Sequence, residues 1–221
     1  MGVSQPNLNV KIVVTHSGII TGEDGISAHS IEDLSLMCAL PEFTVVVPAD
    51  AIETDRAVRE AIARQGPYYI RLSRPATPLV HDDAYEFVLD KAELMRKGND
   101  VSIIACGFMV QTALTAAESL AEGGIQARVI NMHTLKPLDE EAIRLAAQET
   151  GAIVTAEEHY IYGGLGSLVS QVVARECPVP MEMVALRGHA ESGKAEQLLE
   201  KYNLTPGDVG AAVRKVLSRR G

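Results

Sequence analysis

The chain has 221 residues, of which 47% are hydrophobic and 22% charged; 20 Lys and Arg against 29 Asp and Glu give a net charge of −9. This composition suits a globular fold and excludes a disordered chain, and the acidic balance, with no basic patch along the sequence, argues against a nucleic-acid or membrane-surface binder. Apolar runs such as Val101–Cys106 fall far short of the ~20 residues that span a bilayer, no signal-peptide pattern opens the chain, and Cys38, Cys106 and Cys177 are scattered like reduced thiols, so a cytoplasmic protein is expected.

Asn9–Thr15 is a β-branched run that reads as a strand ending in a loop rich in glycine and acids, with Gly18, Gly22, Glu23, Asp24 and Gly25. Ser30-x-x-Asp33 has the form of a capping box for a helix through Met37 and Leu40, which Pro41 stops. Phe43–Val47 shows no polar alternation, the mark of a parallel strand buried on both faces, and Asp50 behind it is placed to cap a helix from Ala51 to Gln65. Tyr68–Ser73 is the next strand. From Arg74 to Asn99 the periodicity lapses, with one short strand expected at Glu86–Leu89.

Beyond that connector, strands at Val101–Cys106, Ala127–Asn131, Ala152–Ala156 and Met183–Leu186 alternate with helices at Val110–Glu122, Asp139–Thr150 and Gly166–Arg175. Such alternation predicts βαβ units and a second parallel sheet. Two helices close the chain, Lys194–Tyr202 and Thr205–Leu217, the latter opened by Thr205-Pro206 with Asp208 at its third position. The fold class is therefore α/β with two parallel-sheet domains: 1–80, a linker over 81–98, and 99–221.

Ligands of open α/β sheets bind at the carboxyl ends of the strands. The loop after the first strand brings His16, Glu23, Asp24 and His29 together, suited either to proton transfer and hydroxyl binding or to a solvated surface loop; its spacing matches no zinc motif. Arg71 and Arg74 flank a strand end, where a guanidinium either grips a phosphate or carboxylate or pairs with a neighbouring acid. Gly163-Gly164-Leu165-Gly166 is read as a packing turn rather than an anion-binding one, and Glu157, Glu158 and His159 as catalytic groups or as interface hydrogen-bonding groups.

Thr15-His16-Ser17-Gly18, Gly22-Glu23-Asp24-Gly25, Val47-Pro48-Ala49-Asp50, Leu72-Ser73-Arg74, Val154-Thr-Ala-Glu157-Glu158-His159 and His189-Ala-Glu-Ser192-Gly193, in that order, resemble the thiamine-diphosphate-dependent transketolase family over nearly the whole chain. The resemblance is to the later half of the pyrimidine-binding domain followed by the transketolase C-terminal domain, as in the C-terminal subunit of split transketolases. It implies transfer of a two-carbon ketol unit between sugar phosphates, with His16 and Asp24 near substrate hydroxyls and Arg74 near the phosphate. The family pattern Gly-Glu-Asp-Gly-x-Thr-His-Gln is altered: Ala28 stands where the usual His would be, and His29, a candidate catalytic group, takes the Gln position. The family's activating Glu segment is not found before Asn7, nor is the Gly-Asp-Gly and Asn motif that holds the diphosphate through magnesium. The resemblance thus implies a truncated or unusually short subunit, inactive by itself, that acts with thiamine diphosphate and Mg when joined to an N-terminal transketolase subunit, as a homo-dimer or hetero-oligomer. Similar domains occur in the beta subunit of 2-oxoacid dehydrogenases and in deoxyxylulose-phosphate synthase; a noncatalytic assembly module is the remaining alternative.

Overall fold

The computed structural model describes residues 1–220. Two sheets form the frame. The first contains β1 (Lys11–Val14), β2 (Thr44–Val46) and β3 (Tyr68–Arg71), parallel in the order β1-β3-β2, with β7 (Thr134–Lys136) antiparallel at the β2 edge. The second contains β4 (Glu93–Arg96), β5 (Val101–Ala105), β6 (Ala127–Asn131), β8 (Ile153–Tyr160) and β9 (Met181–Leu186) in the order β4-β6-β5-β8-β9, all parallel except the edge strand β4. Helices α1 (Asp33–Cys38) and α2 (Ala51–Ala63) lie in the first half; α3 (Met109–Glu122), α4 (Glu140–Thr150), α5 (Leu165–Glu176), α6 (Ala195–Lys201) and α7 (Pro206–Leu217) lie in the second. None of these helices is long and apolar enough to cross a membrane.

The side-chain period of two decides how the second sheet is covered. Val101, Ile103 and Ala105 of β5 enter one core with α3 and α7, while Ile104 enters another with α4 and α5, so helices cover both faces and the sheet is doubly wound. Likewise Val46 and Ile70 face α2, whereas Val45 and Tyr69 join the core of α4 and α5. The two halves therefore share their apolar interior, and Ile19, Ile31 and Ala49 from the first half lie in the core of α3 and α7.

Three local expectations are corrected. Ser30 and Asp33 make no capping box: the first helix begins without a side-chain cap, because the Asp33 carboxylate turns inward to the buried guanidinium of Arg71, at 2.8 Å. An unpaired buried cation would cost more than the ~1 kcal/mol a cap contributes. The connector strand forms at Glu93–Arg96, not at 86–89, since it is the later segment that pairs with β6; Leu89 and Phe87 instead anchor an irregular stretch against α2. Strand β8 runs past Ala156 to Tyr160, through three ionisable residues whose charge hid its burial. Elsewhere the caps are as expected: Asp50 accepts from the Glu53 amide, and Thr205 and Asp208 form a reciprocal capping box.

The connector is firmly docked. The second oxygen of the Asp50 carboxylate accepts from the amides of Val80 and His81 and meets the His81 ring at 2.9 Å, and His81 reaches Glu93 on β4 with its other nitrogen at 2.8 Å. Tyr85 donates to Glu53 of α2 at 2.6 Å. One short segment thus ties α2, in the first half, to the edge of the second sheet.

Candidate active site

The open loop 15–30 leaves the carboxyl end of β1 and is held to β3 by the Ser17 amide, which donates to the Leu72 carbonyl at 3.2 Å. His16 adopts φ 68°, a left-handed backbone conformation that a non-glycine residue visits at a cost, and this turns its ring back over the loop. Its Nδ1 lies 2.7 Å from Thr15 Oγ1 and its Nε2 lies 3.7 Å from the Asp24 carboxylate. Asp24 sits on a single 3-10 turn, Gly22–Asp24, and pairs with Arg74 at 2.8 Å; Arg74 also donates to the Thr21 carbonyl at 3.2 Å. His16, Asp24 and Arg74, from three separate points of the chain, therefore meet on one face, with side chains 42%, 38% and 47% exposed.

That exposure matters to their chemistry. An ion pair in solvent contributes about 0–1 kcal/mol, so a dianionic ligand can take Arg74 from Asp24 at little cost, whereas a buried pair would be locked. Arg74 borders two shallow depressions, one of about 300 Å3 toward Asp50 and Thr54 and one of about 350 Å3 toward Gly193 and Lys194.

His29 lies elsewhere. It is buried inside the loop, its Nε2 3.1 Å from the Gly22 carbonyl, and its Nδ1 has no partner. The imidazole thus braces the loop from within and does not join the open trio. Arg71 takes the pairing alternative read from the sequence: it is fully enclosed, bonded to Asp33, to the Ser30 carbonyl at 2.8 Å and to the Glu158 carbonyl at 3.0 Å. Burial alone would raise the Asp33 carboxyl, but Arg71 and the hydroxyl of Tyr69 hold it below its ordinary value.

Glu157, Glu158 and His159 are buried within the single chain, which corrects the expectation that they make interface hydrogen bonds. Glu157 accepts from the amides of Leu165 at 2.6 Å and Gly166 at 2.8 Å, so the glycine turn does bind an anion, an internal one, at the start of α5. Glu158, on the opposite face of β8, accepts from the Ile20 amide at 2.5 Å. Burial pushes both carboxyls up to about 7 and His159 down to about 4. From the outer side, the Ser192 hydroxyl donates to the Glu23 carbonyl, and the Gly193 carbonyl lies against Gly22. These contacts from the second half were not legible in sequence, because Glu158 and Ile20 are 138 residues apart.

The one group of donors among the described residues close enough for a metal ion is Glu53, His81 and Glu93. All three are engaged in internal hydrogen bonds, and the Glu53 oxygens accept from Tyr85, Asn131 and the Ala49 amide. This donor set is a structural clasp and does not fit a magnesium-diphosphate site.

Residues 1–80 match the transketolase pyrimidine-binding domain and residues 90–209 the transketolase C-terminal domain. The chain belongs to the transketolase family. It is the part comprising the pyrimidine-type and C-terminal domains, and the family depends on thiamine diphosphate. It is 42% identical over 221 residues to a 6-deoxy-6-sulfo-D-fructose transketolase subunit of Clostridium sp., covering 100% of this chain and 69% of the relative. One of the subunits of an apulose-4-phosphate transketolase from Phocaeicola vulgatus is 39% identical over 198 residues, 89% of this chain and 63% of its own length. A split-gene transketolase solved as an inactive beta4 tetramer superposes with a TM-score of 0.93 at 44% identity, covering 98% of this chain and 70% of that one. The chain thus spans about two thirds of each of these transketolase relatives.

Proposed function

We propose that this transketolase chain supplies the sugar-phosphate-facing side of a site that transfers a two-carbon ketol unit, completed by an N-terminal transketolase subunit that carries thiamine diphosphate and Mg. The observation that carries the reading is the convergence of His16, Asp24 and Arg74 on the open face at the carboxyl ends of β1 and β3. Asp24 accepts from substrate hydroxyls. His16, oriented by Thr15, offers Nε2 to a neighbouring hydroxyl or takes its proton, and Arg74 swings from Asp24 to a terminal anionic group. His29 holds the loop at Gly22 so that these groups keep their spacing. The division at residues 81–98, the cytoplasmic setting and the oligomeric assembly belong to the same reading.

The names of the relatives bear on specificity: a sulfonated sugar in one case, a sugar 4-phosphate in another. Both carry an anion that a guanidinium recognises, which supports an anionic ketose for this chain. With the N-terminal subunit supplied, Arg74→Ala weakens anionic donors about 10- to 100-fold while sparing uncharged ones, the worth of one charge-assisted hydrogen bond. His16→Ala and Asp24→Asn lower turnover on all ketose donors. Unchanged kinetics in all three variants would return the chain to the assembly-module alternative.

A further inference from the structure

In the reading above, the first half of the chain provides every substrate contact, and the second half has no stated part in the site. Yet the loop between Gly18 and Gly25 rests on the second half from two sides. Beneath it, Glu158 projects from β8 and its Oε1 accepts from the Ile20 amide at 2.5 Å. The carboxylate fills the space against Gly18 so completely that a Cβ there would come within 2.0 Å of it, and Gly18 itself sits at φ 64°, open to glycine and strained for other residues. Strand β8 is fixed at this point, since the Glu158 carbonyl receives Arg71, whose guanidinium also holds Asp33 and Ser30.

We infer that Glu158 is a positioning residue for substrate binding: by anchoring the Ile20 amide, its carboxylate sets where the next turn places Thr21, Asp24 and, through the Thr21 carbonyl, Arg74. The chain of contacts is continuous. Ile20 is followed directly by Thr21, whose carbonyl accepts from Arg74, and by the 3-10 turn that presents Asp24. Glu158 touches none of the reacting groups, so it acts only through the loop. A buried acid is a costly choice for packing alone; the Arg71 cation offsets part of that cost, and the backbone amide of Ile20 at a short distance is a precise anchor. The inference rests on the proposed site, but its structural half, the anchoring, stands independently of the reaction.

The test uses the full chain and its assembled enzyme. Amide hydrogen exchange of residues 18–24 is compared in wild type, Glu158→Ala and Glu158→Gln, the last retaining an oxygen that accepts from Ile20. Exchange in this loop is expected to accelerate about tenfold or more in Glu158→Ala, with β5 and the first residues of β8 still protected, and to return to within about threefold in Glu158→Gln. In the assembled enzyme, KM for fructose 6-phosphate as probe should rise about tenfold in Glu158→Ala with kcat falling much less, because the loosened loop must be ordered on binding. Unchanged loop exchange in Glu158→Ala would overturn the inference, as would acceleration spread equally over β5 and β8. If Glu158→Ala does not fold, the Gln variant decides: wild-type loop exchange and KM support an oxygen acceptor, and loss of both overturns it. Arg74→Ala, measured beside them, separates the two claims, since a silent Arg74→Ala removes the proposed site while the exchange result still decides the anchor.

Discussion

Two ion pairs formed by arginines at or near the end of β3 show how burial assigns roles. Arg71 and Asp33 are paired at 2.8 Å with side chains 4% and 11% exposed, while Arg74 and Asp24 are paired at the same distance in solvent. Removing one partner of the first leaves an uncompensated buried charge, so Asp33→Asn should cost about 3–5 kcal/mol, roughly 10 °C in melting temperature, measured by calorimetry. Asp24→Asn should leave the melting temperature nearly unchanged and act on turnover instead. A reversed ranking would mean that the two pairs have been assigned the wrong roles. From the sequence both arginines were candidates for the same task, because neither composition nor spacing shows which one the Ser30 and Glu158 carbonyls enclose.

The clasp formed by the connector is where pH should register. Burial pulls the His81 ring toward neutrality, but its bond to Glu93 and the charges of Glu53 and Asp50 raise it to about 9. A histidine raised in the folded state stabilises fully below its unfolded value near 6.5 and loses that contribution as pH climbs toward 9, here up to roughly 3 kcal/mol. Glu157 and Glu158, raised to about 7, also favour the protonated fold, but their contribution fades between about 4.5 and 7 and is spent before the upper part of the histidine window. Melting temperature should therefore fall between pH 7 and 9, and His81→Gln should flatten that fall; an equal slope in the variant would contradict the assignment. Strands and helices with a clear period, such as Val101–Ala105, Ala127–Asn131 and Met109–Glu122, were legible almost to the residue. What escaped was set by distant partners or masked by charge: β7 is three residues long and exists only because β2 offers an edge, and β8 hides three buried ionisable groups, of which Glu158 meets its partner Ile20 138 residues away. In the same way His16, Asp24 and Arg74 could be picked out in sequence, but the position of His29 beneath Gly22 could not.

The two halves share cores and cannot be separated without exposing Ile19, Ile31 and Ala49 on one side and the α4 and α5 surface on the other, so the chain should unfold in one transition. Tyr162 and Leu36 are exposed, one next to Gly163 and the other next to the Ser35 on which Gly163 packs, and self-association is expected to cover them. Sedimentation of these 221 residues at tens of micromolar should show a species heavier than a monomer, and a monodisperse monomer would count against self-association. Calorimetry with thiamine diphosphate and Mg should show no tight binding to the same 221 residues, since the clasp of Glu53, His81 and Glu93 is already engaged internally. The most direct test of the whole account is ketol transfer measured with the isolated N-terminal subunit, with this chain by itself, and with both, in thiamine diphosphate and Mg, using donors with and without a phosphate. The account predicts transfer only when both are present, and a selective loss on the phosphorylated donor in Arg74→Ala. Transfer by this chain by itself, or transfer by the pair that is indifferent to His16, Asp24 and Arg74, would contradict it.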